Sequence, residues 1–163
     1  MTHEEQVIIQ EERDYTITQN IMTNIFKKYN ATIEMEQMPL YHAYDATMDV
    51  TKGDKKRYYT VEIKERNVPS IDDLETLPLK VKKYCNICEK SGNKTPLVIY
   101  LVNGKKFYIY DLKKIDLNKV ELRNWYIPIT QYTPYKKYDE QPTFFFKIDE
   151  AVWKGEIPKY NGI

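Results

Sequence analysis

Asp45, Glu62 and Lys64 carry the clearest chemistry in this chain, within the stretch AYDATMDVTKGDKKRYYTVEIKERN that spans residues 43–67. The stretch reads as two β-strands joined by a turn through Thr51, Lys52, Gly53 and Asp54, with Gly53 supplying the permissive backbone such a turn needs. Asp45 and Asp49 fall on the first strand, Glu62 and Lys64 on the second. Side chains alternate along a strand, so Asp45, Thr47 and Asp49 share one face, as do Thr60, Glu62 and Lys64. The opposite faces are mostly apolar: Tyr44, Ala46, Met48 and Val50, then Tyr59, Val61 and Ile63. Where the acidic faces meet, carboxylates converge with an ammonium. Carboxylates held so close repel one another unless a cation lies between them. A hard divalent ion such as Mg²⁺ suits, because it takes a few carboxylate oxygens and keeps several waters. Asp49 lies about 13 Å from Asp45 by strand rise, too far for both to hold one ion easily, which makes it the weaker candidate.

The elements that must position these residues are legible around them. Residues 2–29 read as a helix: Thr2 and Glu5 have capping-box spacing, and Ile17, Ile21, Met22, Ile25, Phe26 and Tyr29 form an apolar stripe. Glu11, Glu12 and Asp14 lie toward its N-terminal end and read first as solvated charges. Thr32 to Met38 alternates as a half-exposed strand that Pro39 ends. After the motif hairpin, an acidic stretch, residues 70–76, precedes a second helix with Pro78 in its first turn and Gly92 at its stop. Val81, Tyr84, Cys85 and Cys88 form one face of that helix, directed to the core. Lys80, Lys82 and Lys83 crowd its first turn, where cations oppose the helix dipole, so their placement suggests a compensating anionic partner such as phosphate. Asn103-Gly104 between two apolar runs predicts a hairpin. Strands over 125–130 and 143–148 follow, with a polar loop over 131–141 between them. The order predicts an α/β (α+β) fold, a mixed central sheet flanked by helices, in one domain.

Asp45 followed by Glu62-Ile63-Lys64 at the end of the next strand resembles the D…(D/E)-X-K signature of the PD-(D/E)XK nuclease superfamily. The usual Pro before the Asp is replaced by Tyr44. The resemblance implies a restriction-endonuclease-like core and a metal-dependent phosphodiesterase acting on DNA. Asp45, Glu62 and the Ile63 backbone carbonyl would hold Mg²⁺ or Mn²⁺, and Lys64 would stand beside the scissile phosphate. It also implies that an acid on the first helix can add a ligand, with Glu11, Glu12 and Asp14 as secondary candidates. Many phage and bacterial members follow the E-X-K strand with a lysine-bearing helix, which matches Lys82-Lys83-Tyr84 and makes Lys80, Lys82 and Lys83 the candidates for DNA-backbone contact. Many members cleave as dimers, so a homodimer is among the expectations.

Composition bounds the rest. With 25 basic and 24 acidic residues, bulk charge does not announce a nucleic-acid binder, although a local basic groove is compatible with it. The 15 tyrosines read as half-buried sheet surface rather than base-stacking residues. Cys85 and Cys88 lack a second ligand pair, and His3 and His42 fit no zinc spacing. With no apolar leader or membrane-length run, the expected setting is cytoplasmic, in a bacterial cell or phage-infected host. A serine-nucleophile motif and a phosphate-cradling glycine loop are both missing from the sequence. The rival expectation is a binding module, for DNA or protein, built on the same or another α+β fold.

Overall fold

The capping box forms as its spacing predicts: the Glu5 amide donates to the Thr2 hydroxyl at 3.1 Å, and the Thr2 amide to the Glu5 carboxylate at 2.7 Å. It starts helix α1, His3–Lys27, in this computed structural model, which describes residues 1–128 and 138–159. Ile21, Met22, Ile25 and Phe26 are buried. Tyr29, placed on the same stripe by sequence, lies beyond the helix end and is exposed, because the chain turns at Asn30 into a left-handed conformation with φ of 58°.

The strands are β1 Thr32–Gln37, β2 Ala46–Lys52, β3 Lys55–Arg66, β4 Thr76–Lys80, β5 Thr95–Val102, β6 Lys106–Asp111, β7 Glu121–Pro128, β8 Tyr138–Lys147 and β9 Trp153–Glu156, with α2, Val81–Ser91, between β4 and β5. Six of them form a mixed sheet in the order β1-β2-β3-β5-β6-β9. β3 and β5 run parallel and the other neighbours antiparallel. A parallel pair needs a crossover, and the segment carrying β4 and α2 supplies it. The expected mixed sheet flanked by helices is therefore present.

Both faces of β3 and β5 are covered, which explains the near-continuous apolar run in β5. On one face, α1 packs over Ala46, Met48, Val50, Tyr59, Val61 and Ile99. On the other, Ile87 of α2 joins Val98, Tyr100 and Tyr110 with Leu77, Leu79, Phe144 and Phe146. Tyr100 and Tyr110 are fully buried rather than half-exposed sheet residues. Their hydroxyls donate to the carbonyls of Pro78, at 2.8 Å, and Lys147, at 3.0 Å, so each large ring satisfies its polar tip against β4 or β8.

Several sequence expectations need correction. A second sheet, in the order β4-β8-β7, stands apart from the first. Pro78 lies in β4, opposite Phe145, and not in the first turn of a helix. Its missing N–H is tolerated because β4 is an edge strand, so a cue for a helix start marked a sheet edge instead. The helix begins three residues later and ends at Gly92, as expected, with φ of 58°. Cys85 is exposed, against expectation, whereas Val81, Tyr84 and the half-buried Cys88 pack against the core as expected; Ile87 and Ser91 hold the buried face. The first hairpin turn is two residues, Gly53-Asp54, tighter than expected, whereas Asn103-Gly104 turns as predicted with φ of 53° and 66°. β8 reaches back to Tyr138, into the segment read as loop, and β9 follows it. Residues 131–137 of that expected loop lie outside the described residues.

Candidate active site

β3 is the central strand of the site. It places Glu62 and Lys64 on its α2 side and Ile63 and Glu65 on its α1 side, by alternation. Asp45 does not lie on β2, as the sequence suggested, but in the residue just before it. Its backbone is fixed from both sides: the Asp45 amide donates to the Val61 carbonyl at 3.0 Å, and the Asp45 carbonyl accepts from the Met38 amide at 2.8 Å. The carboxylate accepts from the Ile63 amide at 2.7 Å, hooking over the strand beside Glu62. The strand register explains this proximity. Ala46 faces Val61 in the antiparallel ladder, so the residue before Ala46 meets the residue after Val61. Asp49 faces Tyr58 instead and is carried away along the strands from Glu62.

Glu62 is 5% exposed. Lys83 of α2 places its ammonium 3.2 Å from Glu62 Oε2, and Lys64 stands 4.0 Å from Oε1. Lys83 directs a hydrogen bond to the Ala43 carbonyl at 3.1 Å, whereas Oε2, for all its charge partner, has no aligned hydrogen bond. The ammonium is near Oε2, but off the direction a hydrogen bond needs. α2 is held at this distance by a buried Thr60–Ser91 hydroxyl pair at 2.7 Å, with Ser91 also donating to the Ile87 carbonyl.

The electrostatics follow from burial. Desolvation, then the Asp45 charge, pushes Glu62 up from 4.5 to about 7 against the pull of Lys64 and Lys83. Lys64 is lowered from 10.5, because burial outweighs the attraction of Glu62.

On the other face, a cleft beside Asp45 is lined by Glu11, Asp14, Tyr15, Ile63 and the loop from Gln37 to His42. Glu11 is raised by burial and by the Asp45 charge, which places this acid of the first helix within electrostatic reach of the site. Glu12 is exposed and does not line the cleft. Asp14 is pushed to about 7 by burial and by Glu65, and Gln10 bridges the two acids with bonds of 3.0 and 2.9 Å. Sequence reasoning missed Glu65. Its position one residue past the E-X-K motif, with opposite parity, was the available signal.

Of the three lysines, Lys80 occupies the N-cap of α2, Lys82 is exposed and Lys83 faces Glu62. The compensating partner that the helix dipole called for is, for Lys83, this carboxylate. Among the described residues, no three His, Cys, Asp or Glu side chains form a metal-binding cluster. Asp45 and Glu62, which interact through their charges, carry hard oxygen donors. The unaligned buried Oε2 is the kind of atom a cation completes, so the set fits Mg²⁺ or Mn²⁺ with water in its remaining positions. Glu11 shares the cleft beside Asp45.

No protein-family model matches the chain, and no curated protein matches it. Among solved structures it is similar to Hjc, a Holliday junction resolvase from Archaeoglobus fulgidus, with a TM-score of 0.46 and 10% identity over 88% of this chain and 91% of that one. Among the described residues, no helix is long and apolar enough to cross a membrane.

Proposed function

We propose that this chain is a metal-dependent nuclease that hydrolyses phosphodiester bonds in DNA. The observation that carries the reading is the buried Glu62 carboxylate, raised to about 7, beside Asp45 and flanked by two ammonium groups. Burying a carboxylate without full hydrogen bonding is costly, and a structure retains that cost where function uses it.

Asp45 and Glu62 would hold the metal, with the Ile63 backbone carbonyl as a further ligand. A bound divalent ion supplies Lewis acidity and a lowered pKa for its water. The chain's own groups do the rest. The Ile63 amide holds the Asp45 carboxylate in place. Lys64, with its ammonium partly desolvated, stabilises negative charge that grows on the phosphoryl oxygens, which is worth more in a water-poor site. Lys64 also orients the attacking water. Lys80, Lys82 and Lys83 lie around the N-terminal turn of α2 and contact the DNA backbone.

Plasmid and single-stranded DNA incubated with the purified protein and Mg²⁺ or Mn²⁺ provide the test. Cleavage should appear with metal, vanish with EDTA and vanish in a folded Glu62→Ala variant. EDTA-resistant cleavage surviving in that variant would place the activity elsewhere. A second reading is favoured by the Lys83–Glu62 ion pair, which neutralises the acid internally: a protein of this architecture that binds DNA or protein without cutting. Binding without Mn²⁺ uptake or cleavage supports that alternative.

A further inference from the structure

From the contacts of Lys83 we infer that it is a resident counter-ion of the metal site, which an entering divalent cation must displace from Glu62. The inference rests on the metal-site reading above and adds to it a regulation by the protein's own α2. Three observations carry it. The Lys83 ammonium lies 3.2 Å from Glu62 Oε2, within the volume that a cation bound to that oxygen would claim. That oxygen is buried and lacks an aligned hydrogen bond, so its lone pairs remain open to a better-placed partner. Lys83 is also anchored elsewhere, on the Ala43 carbonyl at 3.1 Å, two residues before Asp45.

A metal ion and an ammonium that share one carboxylate oxygen repel each other at short range. Metal entry therefore releases the Lys83 side chain from Glu62, and α2 stays in place because the Thr60–Ser91 pair and Ile87 hold it. The side chain is 28% exposed and has a route to the surface. There it can engage a DNA phosphate, so that the ion and the substrate together satisfy two groups that otherwise satisfy each other. Lys83 is a positioning residue for the acid, and metal and phosphate binding are coupled through it.

The test is Mn²⁺ binding, followed by electron paramagnetic resonance and calorimetry on the full chain without DNA. Replacing Lys83 with Met removes the competitor but keeps the aliphatic stem. Mn²⁺ should bind at least about tenfold more tightly, the low end of what a unit charge within a few ångströms does to a neighbouring ionisation. Lys83→Gln should shift affinity the same way, which covers poor folding of either variant. Lys83→Arg should leave binding as weak as in the wild type. Unchanged or weaker Mn²⁺ affinity in both neutral variants overturns the displacement while leaving the metal site intact. No Mn²⁺ binding by any form, wild type included, overturns the metal-site reading itself and this inference with it.

Discussion

Glu62→Gln should stabilise the metal-free protein. A raised carboxylate pKa means the folded state binds a proton more tightly than the unfolded chain. Such a group favours folding below its unfolded pKa and loses that contribution as pH rises through the folded value. For Glu62 the window runs from 4.5 to about 7. At about 1.4 kcal/mol per pH unit, the ceiling is about 3 kcal/mol at pH 8, and relaxation of the site reduces it to roughly 1–3 kcal/mol. Glutamine mimics the protonated acid and so recovers this amount. The assay is urea denaturation in EDTA from pH 4 to pH 8, comparing wild type and variant. The two curves should coincide near pH 4 and diverge steadily through the window, with the variant more stable at pH 8. Added Mn²⁺ should reverse the order, because it stabilises only the protein that binds it. A variant less stable than wild type at pH 8 without metal would mean that Lys64 and Lys83 make Glu62 a net stabilising anchor. The argument from a strained acid would then fail.

Asp45→Asn should retain the fold, since an amide oxygen can still accept from Ile63, while Mn²⁺ affinity and DNA cleavage collapse; calorimetry and a nicking assay check both. Lys82→Gln should flatten the log–log salt dependence of duplex binding by roughly 0.9 and leave Mn²⁺ binding unchanged, which titrations at several salt concentrations would measure. Asn103→Ala should cost about 2–3 kcal/mol in chemical denaturation, because its side chain both accepts from and donates to the Val68 backbone and its φ is positive. Gly92→Ala should destabilise by about 1 kcal/mol or more in the same assay, for a backbone at φ of 58° that L residues rarely adopt.

The sequence made the local chemistry legible and the long-range geometry much less so. Helix α1 was written in a capping box and an apolar stripe, and the Asn103-Gly104 turn in a dipeptide with its own backbone preference. The pairing of Asp45 with Glu62 followed from strand parity. Two things had no local signature. Pro78 suits a helix start and an edge strand equally, and only the arrival of β8, from far along the chain, decides between them. Lys83 reads as a phosphate contact, and its pairing with Glu62 shows only once α2 is folded over β3, since that carboxylate is non-local. The burial that lowers the Lys64 pKa is hidden in the same way: neighbouring charges are visible in a sequence, but the depth of burial is not.

The seating of α2 between two sheets gives the molecule a particular sensitivity to error. Lys80 pairs with Thr143 as the last rung of the β4–β8 ladder, and α2 begins at the next residue. Whatever fixes the phase of β8 therefore also fixes the azimuth at which Lys83 meets Glu62. A slip of one residue would turn Phe144 and Phe146 away from the cluster around Ile87 and exchange them with Phe145, which is buried on the opposite face against Trp125, and would tilt the helix start with them. Insertions between β7 and β8 leave this phase alone, whereas one inserted residue inside β8 would be felt as a displaced ammonium at the acid. β8 thus acts, through α2, as a vernier on the site.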